Sequence, residues 1–177
     1  MTGVELSSYG IFRNRIFRKK TLPNQFEGQL KSDGDDRYGI VVSKYNNNIT
    51  DKLLSGAIET LTQNGVPDYL IDVYRVPGAW ELSVVAKKLA AQNYAAVICL
   101  GAVIKGETTH DQYINQQVTE SLGQISLESE KPIAFGLLTC NNMEQAIHRS
   151  GGNVGNKGIE CAEAALEMVN LLKQVGN

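Results

Sequence analysis

Along this 177-residue chain, short apolar runs alternate with longer stretches whose apolar residues recur every three or four positions. Tyr38–Ser43 (YGIVVS) is a continuous apolar run, the pattern of a strand covered on both faces. In Thr50–Asn64, Leu53, Leu54, Ala57, Ile58 and Leu61 fall at helical spacing, and Gly65 supplies a stop. Leu70–Val76 is rich in β-branched residues and ends at Pro77-Gly78, which predicts a second strand. Leu82, Val85, Ala86, Leu89 and Ala90 make the stripe of a second helix, and Tyr94–Leu100 (YAAVICL) reads as a third buried strand. A third helix starts at about His110, with Ile114, Val118, Leu122 and Ile125 on one face. Pro132–Leu138 predicts a fourth strand, and Met143–Arg149 a short helix that Gly151-Gly152-Asn153-Val154-Gly155 must break. In the last helix, Ile159, Ala162, Leu166, Val169 and Leu172 face inward.

The order is βαβαβαβα, with no repeat and no internal linker. Right-handed crossovers then predict an α/β fold: a flavodoxin-like three-layer sandwich with a four-stranded parallel sheet between helix layers. Ligands in such sheets sit beyond the carboxyl ends of the strands. That directs attention to Lys44–Asn48, Pro77–Glu81, Ala102–His110 and Thr139–Asn142.

Upstream, Phe26–Leu30 predicts a short lone strand and Ser32–Asp36 a polar, acidic turn. In residues 1–22, Arg13, Arg15, Arg18, Lys19 and Lys20 crowd together against one acid, Glu5. Residues 1–25 therefore read as a basic, solvated and poorly ordered tail, and residues 26–177 as one domain. The tail's other reading is an arm for anionic partners or a remnant of an organellar targeting peptide; it has no apolar core of a secretory signal.

Composition narrows the function classes. Hydrophobic residues make up 42% and charged residues 20%, as in an ordinary globule. A net charge of −2 gives no basic field for nucleic acid. No apolar run approaches the roughly 18 residues of a membrane span. Cys99, Cys140 and Cys161 are odd in number and far apart, so they read as free thiols in a reducing, cytoplasmic setting. With only His110 and His148 as histidines and no Cys-x-x-Cys, the chain offers no zinc site, and nothing else in it calls for a cofactor.

The chemistry lies in the loops. Gly106-Glu107-Thr108-Thr109 leads into a helix, where free backbone N–H groups and hydroxyls suit a phosphate; the plainer reading is a glycine turn with a Thr N-cap. His110, in the first helical turn, is placed for proton transfer, and the helix dipole favours its neutral form. Lys105 is an anion contact or a solvated cation. Trp80, the only tryptophan, stacks on a planar heterocycle or packs in the core. Glu81 accepts from sugar-like hydroxyls or complements a helix start. Tyr45 is a second aromatic candidate beside Asn46, Asn47 and Asn48, which read as plain turn chemistry. Phe135 reads as core on its own. Arg149 clamps a phosphate or complements a helix end. Together these groups suit condensation of a phosphorylated small molecule with a planar, hydroxylated one.

Three ordered segments resemble the lumazine synthase family: VPGAWE (Val76–Glu81) its VPGAFE, ICLGAVIKGETTHDQY (Ile98–Tyr113) its LGAVIRGATTHYDY, and FGLLTCNNMEQAIHRSGGNVGNKG (Phe135–Gly158) its FGVLT…EQAxxRAG…GNKG. LLSGAIETL (Leu53–Leu61) and FEGQL match its first helix and N-terminal strand. The resemblance implies a transferase of riboflavin biosynthesis. It joins 5-amino-6-(D-ribitylamino)uracil to 3,4-dihydroxy-2-butanone 4-phosphate, giving 6,7-dimethyl-8-ribityllumazine, phosphate and water without a cofactor. By position it implies that Tyr45, Ala79, Trp80, Glu81, Ala102, Val103, Ile104 and Phe135 bind the ribitylaminouracil. It gives Glu107, Thr108 and Arg149 to the phosphate, and proton transfer to His110. It implies a homo-pentamer with sites between subunits, Tyr45 or Trp80 being contributed across the boundary. Phe26–Leu30 would add a strand to a neighbouring subunit's sheet, and riboflavin synthase is a candidate partner. The compact Ser150–Gly158 leans toward a sixty-subunit capsid.

Tyr45, Trp80, Lys44 and Lys105 depart conservatively from the family's commoner residues, and Asn153-Val154 replaces a common Lys-Ala. Glu107 stands where relatives have a small residue, so its side chain is expected to point outward. A flavin mononucleotide carrier would want a Ser/Thr-Gly phosphate loop after the first strand, and a phosphoacceptor receiver would want aspartates at the strand ends; neither is present. A non-catalytic flavin-binding or shell-forming relative is the remaining alternative, against which His110 and Arg149 argue.

Overall fold

The computed structural model describes residues 23–175; the expectations for residues 1–22 fall outside the described residues. Strands β1 (Tyr38–Ser43), β2 (Ile71–Val76), β3 (Ala96–Ile104) and β4 (Ile133–Cys140) form one parallel sheet in the order β2-β1-β3-β4. Helices α1 (Asn47–Gln63), α2 (Leu82–Ala90), α3 (His110–Ser129), α4 (Met143–His148) and α5 (Lys157–Val175) connect and cover it. The predicted three-layer α/β architecture is the one observed.

Two apolar layers hold the sheet. On one face Ile40, Val42, Ile98 and Leu100 pack against Leu53 and Leu61 of α1 and Ala162 and Leu166 of α5. On the other, Val41, Val97 and Cys99 meet Leu82 and Leu89 of α2 and Val118 and Leu122 of α3. β1 and β3 are buried on both sides, as their unbroken apolar runs require. Cys99 and Cys161 are almost fully enclosed, and burial pushes both thiols up, Cys161 to about 11.

The chain reverses direction across the sheet between β1 and β3, since α1 leads from β1 to one edge and α3 from β3 to the other. This switch point leaves an opening beyond the strands' carboxyl ends.

Several boundaries differ from expectation. β3 runs on to Ile104, so Ala102, Val103 and Ile104 belong to the strand rather than to a loop; they keep pairing, opposite Leu138, Thr139 and Cys140 of β4. Gly101, which resembles a strand end, instead marks a close approach: a Cβ there would lie 2.7 Å from Leu137 Cδ1. α1 starts at Asn47, three residues before the predicted Thr50, directly after Asn46. The segment predicted to break α4 does so as a hairpin, β5 (Ser150–Gly152) against β6 (Gly155–Asn156), with Gly151 and Gly155 at φ +112° and +84°. Ile159 and Leu172, expected inward, are 38% and 37% exposed on the outer edge of α5.

Phe26–Leu30 pairs with no strand of the described residues. It lies extended along α5: Asn170 Nδ2 donates to Gln29 O and Lys31 O, and Gln174 Nε2 to Glu27 O, at 2.7–3.0 Å. At Gly28 a Cβ would sit 1.9 Å from Glu167 O, so only glycine allows this approach.

Candidate active site

At the switch point lies a cleft of about 320 Å³ whose walls come from three strand ends and one helix start. The loop after β1 contributes Tyr45 and Asn46. Beyond the strand, Lys44 N donates to Val76 O and Tyr45 N to Pro77 O (2.8 and 3.1 Å), so the backbone stays fixed while the Tyr45 ring turns out, 72% exposed. Asn46 is left-handed (φ +59°), a conformation Asn tolerates better than other L-residues. Its Nδ2 donates to Ala102 O at 2.9 Å, tying the β1 loop to β3.

The loop after β2 brings Gly78, Ala79 and Trp80 to the cleft, Ala79 buried and Trp80 half-exposed. The Gly78 N–H donates to Glu81 Oε2 at 2.8 Å. Glu81 therefore closes the turn that presents Trp80 without itself lining the cleft. β3 supplies Ala102, Val103 and Ile104, and α3 supplies His110 and Ile114 one turn apart.

His110 is the first residue of α3, and its Nδ1 lies 2.6 Å from Thr108 Oγ1. That hydrogen bond fixes the ring and leaves Nε2 to meet a substrate. At Gly106 a Cβ would lie 3.3 Å from His110 Cε1, so the glycine makes room for the ring. The expected Thr N-cap is not formed: Thr109 occupies the cap position without a side-chain cap bond. Lys105, Glu107 and Thr108 are exposed at the rim.

Two expected site residues lie elsewhere in the chain. Phe135 pairs opposite Cys99 near the start of edge strand β4, in a separate groove between α3 and α5 that Ala165 and Met168 also line. Three residues of strand, about 10 Å of rise, separate it from the level of Ala102 and Leu138. Arg149 caps α4 and is held in its own cluster: Nη1 donates to Val154 O (2.9 Å) and Glu160 Oε1 (2.8 Å), and Nη2 to Glu160 Oε2 (3.0 Å). Lys157 Nζ joins Glu160 Oε2 at 3.1 Å. The Arg149 hydrogen bond, seconded by Lys157, holds the Glu160 carboxyl below its usual range.

Tyr45 and Trp80 were expected to be the candidates for contribution across a subunit boundary, but one chain is enough to bring them to His110. Both line the same chain's cleft as His110, because the switch point gathers the ends of β1, β2 and β3. The residues set apart are Phe135 and Arg149, at an edge strand and beyond it. Sequence reasoning passed over Asn46 and Ile114 as cleft residues; an Asn between a strand end and a helix start was the available signal for the first.

The family model described as 6,7-dimethyl-8-ribityllumazine synthase matches residues 35–173. A relative of that name from Desulfotalea psychrophila is 51% identical over 152 residues, covering 85% of this chain and 97% of that protein. Another, from Syntrophus aciditrophicus, is 49% identical over 155 residues, covering 87% of this chain and all of that protein. The likeness runs from the turn before β1 to the last turn of α5, and by it the chain belongs to the 6,7-dimethyl-8-ribityllumazine synthase family.

Proposed function

We infer that the chain condenses 5-amino-6-(D-ribitylamino)uracil with 3,4-dihydroxy-2-butanone 4-phosphate, releasing phosphate and two molecules of water. The observation that carries this reading is one cleft holding two outward aromatic rings, Tyr45 and Trp80, opposite a histidine fixed at a helix start. The rings frame the pyrimidine. Glu81, Ala79 and the β3 segment Ala102–Ile104 meet the uracil and its ribityl chain. The backbone at Glu107 and Thr108, beside the positive end of α3, receives the phosphate. The substrate's amine attacks the ketone and water leaves as the imine forms; phosphate is eliminated, and ring closure releases the second water. His110 Nε2 moves protons through these steps, and the cleft's main contribution is to hold two reactants together.

Phe135 and Arg149 complete the site when a neighbouring copy supplies them, which their separation from the cleft supports. The assembly is then a ring, a homo-pentamer, in which Phe26–Leu30 reaches a neighbour's sheet and the short β5–β6 hairpin permits closure into a capsid. Three free thiols suit a cytoplasmic setting.

The test mixes purified protein with both substrates and follows lumazine absorbance and fluorescence above the uncatalysed background; no increase at any protein concentration removes the enzyme assignment. Arg149→Ala is expected to raise KM for the phosphorylated substrate roughly tenfold while leaving KM for the ribitylaminouracil in place. An equal rise for both would mean that Arg149 does not hold the phosphate.

A further inference from the structure

We propose that Glu160 is a positioning residue for phosphate recognition: by gripping the end of the Arg149 guanidinium, it turns that group's remaining edge outward as a ready-made anion site. This rests on the reading of Arg149 as the phosphate-binding arginine.

A guanidinium has two bidentate edges, the Nη1–Nη2 end and the Nε–Nη2 side. Glu160 takes the end with both oxygens, and Val154 O takes the second Nη1 hydrogen. Among the described residues, Nε and the second hydrogen of Nη2 have no partner. Those two N–H groups lie parallel on one edge, the geometry that matches two oxygens of a phosphate.

The grip is itself anchored. Glu160 lies in the first turn of α5, where a carboxylate is favoured by the helix dipole. Lys157 holds its second oxygen. The β5–β6 hairpin that brings Val154 to Arg149 is pinned to α1 by Asn156, whose Nδ2 donates to Lys52 O at 3.0 Å. Arg149 therefore keeps one orientation instead of ordering only when an anion arrives, and the entropy of fixing a long side chain is not charged to binding.

A carboxylate close to an anion site has an opposing effect, repulsion. The cluster answers it in two ways. Arg149, Lys157 and Glu160 sum to one net positive charge. Glu160 also occupies a different edge of the guanidinium from the open one; the two edges meet at Nη2 and face directions about 120° apart, so the two anions approach the cation from different sides. Positioning is therefore the larger effect, and the two effects predict opposite signs.

The experiment is steady-state kinetics on the assembled protein, with inorganic phosphate as a competitive probe. Glu160→Ala is expected to raise KM for the four-carbon phosphate and Ki for inorganic phosphate, each roughly fivefold to tenfold. KM for the ribitylaminouracil and kcat stay within about twofold. In an Arg149→Ala background, Glu160→Ala adds no further loss, because the group it positions is gone. Glu160→Gln keeps the shape and one acceptor and is expected to give a smaller rise with the same substrate selectivity, which serves if the alanine variant does not fold. A fall in either constant overturns the proposal in favour of repulsion. Equal rises for both substrates, or losses that add in the double variant, overturn it in favour of a general role in the fold. A wild-type protein without turnover, or Arg149→Ala without effect on phosphate affinity, instead removes the reading beneath and this role with it.

Discussion

Gly158→Ala is expected to destabilise the protein by about 3 kcal/mol or more, lowering the thermal midpoint by roughly 10 °C. At the crossing of α1 and α5, a Cβ on residue 158 would lie 1.9 Å from Leu53 O, 2.6 Å from its carbonyl carbon and 2.9 Å from its Cα. These are backbone atoms inside a helix, so no rotamer change relieves the overlap and the helices must separate. Separation opens the layer in which Leu53, Ala57, Ala162 and Leu166 are buried. It also shifts the first turn of α5, where Glu160 holds Arg149. Calorimetry checks the prediction, with Gly123→Ala as the control. Gly123 lies within α3 and nothing stands within 4 Å of its added Cβ, so alanine there is expected to stabilise by up to about 1 kcal/mol. A Gly158→Ala midpoint within about 2 °C of wild type, under 1 kcal/mol for a domain of this size, would mean that the two helices do not touch through their backbones.

His110→Ala is expected to lower kcat about a hundredfold, with both KM values changed by less than about threefold. Among the residues lining the cleft, His110 is the sole side chain suited to shuttle protons near neutral pH, and no carboxylate lines it. Its Nδ1 is engaged by Thr108, so the exchangeable position is Nε2 and has no substitute when the ring is removed. What survives is the rate due to holding the amine against the ketone. Steady-state kinetics with each substrate varied in turn separates the possibilities: a raised KM with unchanged kcat would make His110 a binding contact.

The sheet was legible because its strands are buried on both faces and its helices carry one apolar stripe. β1 and α2 start and stop where their patterns do. Patterns failed where glycine and asparagine act through tertiary contacts. Gly101 resembles a strand end but is a point of close packing against Leu137. Asn46 resembles one of three turn residues but is the left-handed link between the β1 loop and β3. The cleft was legible as a set of loops, and Tyr45, Trp80 and His110 meet there. The motif that includes Phe135 and Arg149 spans two places in the chain, and periodicity carries no distance between them. Nor does it reveal the Arg149–Glu160 pair, because the partners stand eleven positions apart and a hairpin with two left-handed glycines folds between them.

The two enclosed cysteines give the protein a built-in clock. A thiol reagent attacks only thiolate, and only where it can reach. Cys99 and Cys161 are shut inside opposite layers of the core; burial suppresses the ionisation of all three thiols, but Cys140, at the end of β4, is only half-buried and can be reached. Alkylation of the native chain should begin at Cys140 and then wait. The later pair of mass increments arrives at the pace at which the layers come apart, so counting labels over time measures how often the folded protein opens.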